Sequence, residues 1–346
     1  MERPNKDLSR RQFLNQSIRG ASACVAGGVA LATLARAAKA GGDSSVNPFS
    51  YDVERASRVD PGLIKYEQVK RLSGLAREPR RIAAGPGDSL YIATSTGVDI
   101  LHRTGAKLAQ ISTASAARCV AAAEDGTVYI GLRTHVEVFD RQGRQLSTWE
   151  APTKKTWFTG LCVGANDVFA ADSANRVVFR YDRSGKLAGR IGEKSQERNI
   201  PGLIVPSPYL DVKLGLDGLL RVNNPGRHSV QVFTPAGDLE FSWGKPSLAV
   251  DGFCGCCNPV GLALFSDGRC VTCEKGVPRV KVYSAERSFE SVVAGPELFR
   301  ENGRPGQVSD RSDGTLGGLD ATVDSQGNVY ILDLVAGDVR VMKPKA

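Results

Sequence analysis

From residue 61 to the C-terminus, short runs of apolar and polar residues alternate and are separated by Gly- and Asp-containing turns. This is the period-two signature of short β-strands, with no long helical stretch. One unit recurs six times: an apolar strand, a turn, a second strand, a polar corner and a third strand. The second strands fall at residues 89–92, 127–130, 167–170, 219–222, 269–272 and 328–331, and the third at 98–101, 136–139, 177–181, 230–233, 280–283 and 339–342. Asp125-Gly126, Asp217-Gly218 and Asp267-Gly268 precede three of the second strands and supply the backbone freedom of a tight hairpin. Gly105, Gly143, Gly185 and Gly237 mark the turn into a fourth strand, as at 145–149 and 239–243. Most third strands alternate apolar and polar, as half-buried strands do.

Four antiparallel strands repeated in series make propeller blades. The predicted fold is therefore all-β: a six-bladed β-propeller over residues 61–346. The last repeat ends just after its third strand, and residues 63–69 are expected to supply its fourth, joining the two ends of the chain and protecting sheet edges. The Asp-Gly-x-x-Tyr and Val-x-Val-Phe-Asp-x-x-Gly rhythm, read at Asp125–Tyr129 and Val136–Gly143, resembles the NHL-repeat family of β-propellers. That resemblance implies the architecture and leaves function open, because one such scaffold hosts lyases, lactonases and non-catalytic binders.

Charge alters the picture mainly at the N-terminus. The formal net charge is +8, but the first forty residues alone hold seven basic and two acidic side chains, and the rest is nearly balanced. No basic stripe interleaved with aromatics appears, which argues against nucleic acid as a partner. Ser9-Arg10-Arg11-Gln12-Phe13-Leu14, a mildly apolar run over 21–35 and Ala38-Lys39-Ala40 have the order of a twin-arginine signal peptide, so residues 1–40 are read as an export signal and 41–60 as a linker. The expected location is periplasmic or otherwise extracytoplasmic, with no stable transmembrane span after cleavage and a membrane anchor if the signal is retained.

The first two intervals between second strands are 38 and 40 residues, and the later ones are 52, 50 and 59. The extra residues, at 196–206, 245–257 and 295–316, all lie between a fourth strand and the next blade. They are therefore expected on one face, around the channel mouth where ligands commonly bind. Asp172, Asn224, Glu274 and Asp333 occupy equivalent corners there, where such side chains usually bond turn backbone. Arg81, Cys119, Thr159, Asp211, Gly261 and Asp320 form a second column at the first strands.

The sharpest local feature is Phe253-Cys254-Gly255-Cys256-Cys257-Asn258-Pro259. Cys270 and Cys273 follow, but residues three apart on a strand point to opposite faces, so Cys270 is read as packing and Cys273 as reaching the loop. The candidate metal or redox set is Cys254, Cys256, Cys257 and Cys273, with His228 as a further metal ligand or general base. Asn224, Arg227, Glu274 and Lys275 are candidates to orient a ligand, and Lys275 with Arg279 to bind an anion. Three readings of the cysteines stay open: disulfide staples, a metal centre holding an iron–sulfur cluster, iron, copper or zinc, and a redox-active pair. The partners these imply are a redox protein or a small-molecule ligand. By resemblance, Asp211 and Asp320 are also candidates for a divalent-metal lyase or lactonase site. A non-catalytic propeller that binds protein, peptide or glycan is the remaining alternative, and no catalytic residue is assigned.

Overall fold

The computed structural model describes residues 58–75, 78–300 and 317–345. The signal-like segment 1–40, all but the last three residues of the linker, and most of the 295–316 insertion lie outside the described residues. The described chain forms six four-stranded antiparallel sheets. The innermost strands are Arg81–Gly85, Cys119–Ala122, Phe158–Val163, Val212–Leu214, Gly261–Leu264 and Leu319–Val323. Each packs against the next and the sixth against the first, which makes a six-bladed propeller. In the sixth sheet the outer strand is Tyr66–Leu72, paired antiparallel with Asp338–Pro344.

The local chemistry of the turns follows the repeat. Asp140, for example, accepts hydrogen bonds from the backbone of Gln142 and Arg144. Gly185, at φ +91°, leaves room for the Trp149 indole, which a Cβ there would approach to 2.4 Å. Trp149 stacks at 5.4 Å on Tyr129 and 5.5 Å on Tyr181, joining the second and third blades.

The third strands differ from the expectation of half-buried ribbons. Their polar positions Asp99, Glu137, Gln231, Lys281 and Arg340 are buried. Each blade is covered on both faces by its neighbours, so a side chain pointing away from one core enters the next interface. Burial at this depth requires partners, and they are present. Lys107 Nζ lies 2.9 Å from Asp99, Gln231 accepts from Asn224 at 3.2 Å, and Lys281 Nζ lies 2.7 Å from Glu274.

At the centre of the ring, Arg81 crosses the channel. It donates to Asp320 at 3.0 Å and to the carbonyls of Thr159 (2.8 Å) and Val260 (3.3 Å), and it lies 3.7 Å from Asp211. Asp320 also accepts from the Ile82 backbone and Asp211 from that of Leu262, each at 2.9 Å, so each carboxylate ties its blade to the next. Lys213 completes the cluster, 2.9 Å from Asp211. Gly261 is the small member of the column because a Cβ would come within 2.7 Å of the Asp320 carboxylate. Burial works against the charged form of Asp211, but Lys213 and Arg81 outweigh it and hold the carboxyl below its usual range. For Asp320 burial prevails and the carboxyl is raised. Asp211 and Asp320 are thus interblade ties paired with Arg81 and Lys213.

Candidate functional site

The starts of the inner strands, the corners between second and third strands, and the interblade connections share one face. On it the corner column acts as a set of loop anchors. Asp172 accepts from the backbone N–H of Trp157, Asn224 from Ile204 and Glu274 from Cys254, at 3.1, 2.8 and 3.1 Å. In each case the corner residue fastens the connection that leads into its own blade. Asn224 and Glu274 are fully buried in this role and do not face a ligand. Arg227 is exposed on the corner of the fourth blade.

Glu274 organises the cysteine loop. Arg279 donates to it at 3.0 and 2.9 Å, and Lys281 Nζ sits 2.7 Å from its other side. Arg279 also donates to the Leu248 carbonyl and Lys281 to that of Gly252, while the Tyr283 hydroxyl donates to the Asp251 carbonyl. A buried ionic triad with no exposed member therefore grips the 245–257 loop from below, and Arg279 is committed there instead of to a solvent anion. Burial lowers the Lys281 ammonium to about 8 despite the neighbouring carboxylate. His228 tethers the loop from the side: Nε2 lies 2.6 Å from the Gly255 carbonyl, so this nitrogen carries the proton and is not a metal donor. Asn258 closes the loop by donating to the Cys254 carbonyl at 2.6 Å and to that of Lys275 at 2.9 Å.

The loop separates the cysteines. Cys254 is buried, and burial together with nearby Glu274 raises its thiol. Cys273 lies in the core, with Asp320, Arg81, Asp211 and Lys213 as its charged neighbours, and does not join the loop. Cys270 packs in a different core cluster, as alternation along the strand requires. Burial pushes Cys119, Cys162 and Cys270 up to about 12, which makes them inert. Cys256 and Cys257 do come together, with Sγ atoms 3.2 Å apart. Cys256 is exposed and Cys257 buried. Burial opposes ionisation of Cys257, but hydrogen bonds from Ser207 and Cys256 and the Lys275 ammonium outweigh it, so its thiol falls below the usual range. Cys256, as donor to Cys257, is raised.

Among the described residues no three His, Cys, Asp or Glu side chains are grouped to hold a metal ion. With Cys273 in the core, Cys254 against Glu274 and His228 spent on a carbonyl, the donors do not fit a four-coordinate thiolate site. The structure instead offers a vicinal thiol pair beside a cation. Lys275 donates to Ser207 Oγ at 3.1 Å and lies 4.3 Å over the Tyr209 ring.

Tyr209 also lines the channel mouth, a narrow cleft shared with Arg80, Arg81, Arg118, Trp157, Pro208 and Leu334. The guanidinium groups of Arg118 and Arg133 lie 5.3 and 4.3 Å from the Trp157 ring centre. Sequence reading singled out none of Arg80, Arg118, Arg133, Trp157 or Tyr209. The available signal was their shared offset: Arg80, Arg118 and Trp157 stand just ahead of an inner strand. His135, at the start of the second blade's third strand, lies 3.2 Å from Glu137.

No protein-family model matches the chain, and no curated protein matches it by sequence. Its fold is similar to that of solved structures. A streptogramin B lyase matches at 13% identity and TM-score 0.54, over 81% of this chain and 97% of that one. The virginiamycin B lyase of Staphylococcus aureus matches at 12% identity and 0.54, over 81% and 100%. The WD40 β-propeller domain of Doa1 matches at 12% and 0.53, over 81% and 97%. At these identities the likeness is one of fold. No helix among the described residues is long and apolar enough to cross a membrane.

Proposed function

We propose that this protein is an extracytoplasmic thiol–disulfide redox protein whose reactive centre is the Cys256–Cys257 pair at the channel mouth. The observation that carries this reading is the 3.2 Å separation of the two sulfurs, one exposed and one buried against Lys275 and Ser207. Export of the folded chain through the twin-arginine route, read from residues 1–40, would place the pair where disulfide chemistry operates.

The chemistry follows from the unequal exposure. Cys256, the accessible sulfur, passes its proton to Cys257 and attacks a disulfide of the partner. The partner's S–S bond breaks, a mixed disulfide forms on Cys256, and one partner thiolate leaves and is protonated by solvent. Cys257 then attacks Cys256 Sγ and gives its proton to the second departing sulfur. The two electrons of the dithiol end on the partner, and the pair is left as a disulfide. Adjacent Cα atoms are about 3.8 Å apart, closer than most disulfides allow, so the bridge is strained and readily reduced again.

The test is mass spectrometry of the Cys256–Cys257 peptide across a glutathione redox series. The wild type is expected to lose two hydrogens from this peptide reversibly. Cys257→Ser is expected to accumulate glutathione on Cys256, which reacts at least about tenfold faster than the buried Cys270. A peptide that stays reduced under oxidising conditions, or a variant that traps no adduct, overturns the reading.

The ionisation of the pair gives a second expected result. The thiolate absorbance of the wild type should rise in two steps, one below and one above the usual thiol value, and Cys257→Ser should lose the lower step. The sign for stability follows. Within the window just below the usual thiol value the folded chain binds fewer protons at Cys257 than the unfolded chain. This contribution therefore grows as pH rises through the window and is lost as pH falls through the folded pKa.

A further inference from the structure

We infer that the Cys256–Cys257 pair works from its disulfide form and oxidises dithiols of a partner polypeptide. This rests on the redox reading of the same two cysteines and adds the direction of electron flow and the substrate class. A thiolate attacking a disulfide needs access to one sulfur, and the other sulfur must carry the departing charge. Those two roles fall to different sulfurs here. Cys256 is exposed and is the point of entry. Cys257 is only 3% exposed, and its sulfur accepts hydrogen bonds from the Ser207 hydroxyl and the Lys275 ammonium.

The cation is held in place before any charge develops. Asn258, next in sequence to Cys257 and itself buried, accepts from the Lys275 N–H and donates to the Lys275 carbonyl, both at 2.9 Å. It also donates to the Cys254 carbonyl at 2.6 Å, so one amide ties the Lys275 backbone to both ends of the cysteine run. The lysine side chain lies 4.3 Å over the Tyr209 ring, and its ammonium donates to Ser207 Oγ at 3.1 Å. The Tyr209 hydroxyl is fixed in turn on the Gly317 carbonyl at 2.6 Å. Donors arranged in advance stabilise a developing thiolate without further rearrangement. They also stabilise the reduced pair, and a disulfide whose reduced form is stabilised is the stronger oxidant. The lowered Cys257 thiol and the raised Cys256 thiol have the same sense. In the step itself a partner thiolate attacks Cys256 Sγ, the Cys256–Cys257 bond breaks, and its electron pair passes to Cys257. The partner's second thiol then attacks the mixed disulfide, and Cys256 leaves and takes up that proton. The partner has lost two electrons and gained a disulfide, and the pair holds them as a dithiol. Exchange with an acceptor disulfide restores the bridge.

The experiment uses the full chain, first oxidised with glutathione disulfide and then freed of it. The oxidised protein is mixed with reduced glutathione, a monothiol, or with a synthetic peptide carrying two cysteines. Wild type, Lys275→Met and Lys275→Arg are compared. Mass spectrometry is expected to find the glutathione adduct on Cys256 and one peptide disulfide formed per chain. Lys275→Met keeps an unbranched chain over Tyr209 without the charge, and should oxidise the peptide about threefold more slowly. Lys275→Arg should stay within about twofold of wild type. At a pH near the usual thiol value, the glutathione equilibrium of Lys275→Met should move about tenfold toward the disulfide. In acid, where Cys257 is protonated in both proteins, that shift should vanish. An adduct on Cys257, a peptide left reduced, Lys275→Met equal to wild type, or Lys275→Arg as slow as Lys275→Met would each overturn the inference. The redox reading would survive those results if the dithiol still reduced glutathione disulfide. A pair that cannot be oxidised at all overturns both.

Discussion

Arg81→Met is expected to lower the unfolding free energy by about 3–5 kcal/mol, the usual cost of stranding a buried charge. The methionine fills much of the same space, but Asp320 loses its 3.0 Å partner, and the carbonyls of Thr159 and Val260 lose their donor. Asp211 is less affected because Lys213 remains 2.9 Å away. Urea unfolding followed by tryptophan fluorescence measures the change, and a loss below about 1 kcal/mol would show that the channel cluster is not under this constraint. The pH dependence separates this mechanism from simple cavity formation. Asp320 is already raised by burial in the wild type, and removal of Arg81 raises it further. A carboxyl with a raised folded pKa binds more protons folded than unfolded, so its stabilising contribution is present at low pH and lost as pH rises through the folded pKa. The variant should therefore be closer to wild type at mildly acidic pH than at neutral pH.

Glu274→Gln is expected to cost a similar amount, about 3–5 kcal/mol, because it leaves Arg279 and Lys281 buried without their shared carboxylate. Both cations are almost wholly excluded from solvent. The sign of the pH response is opposite to that of the Arg81 variant. Lys281 is lowered to about 8 by burial in the wild type, and loss of the carboxylate lowers it further. A lysine with a lowered folded pKa binds fewer protons folded than unfolded, so stability rises with pH from the folded pKa up to the ordinary lysine value. The variant should recover part of its loss as pH is raised. Because the triad grips the 245–257 loop, the same substitution should increase amide exchange at Phe253–Cys257 more than in the first three blades. A variant as stable as wild type, or one whose loss does not respond to pH, would refute the account of a buried ionic triad.

Lys275 links the thiol pair to the channel mouth: its ammonium touches the thiol environment through Ser207 and the mouth through the Tyr209 ring.

Much of the architecture was legible in the sequence, because strand alternation and Asp-Gly turns are local properties repeated six times. The second strand predicted at 328–331, for instance, is found at Val329–Asp333, and the one at 167–170 at Asp167–Asp172. Length differences between repeats also located the decorated face, since extra chain between blades has nowhere else to go. Cysteine spacing was sufficient to separate Cys270 from Cys273 by the two-residue period, but not to show that the core would take both.

Tertiary closure decided the rest. Arg81 and Asp320 are 239 positions apart and meet only because the first and sixth blades are neighbours in the ring. Alternation identifies two faces of a strand without saying whether both are covered, so a polar position such as Lys281 in a strand expected to be half-buried is instead fully buried. Glu274, Asn224 and His228 were recognisable as polar groups near the loops, and only the fold showed that they hold loop backbone in place. Trp157, Arg118 and Arg133 belong to different blades or connections, and no local pattern brings them together. The sequence by itself determined the repeating unit, because strands and turns depend on residues a few positions apart. The ring determined which side chains share the mouth, because that depends on how six separate sheets close around one axis.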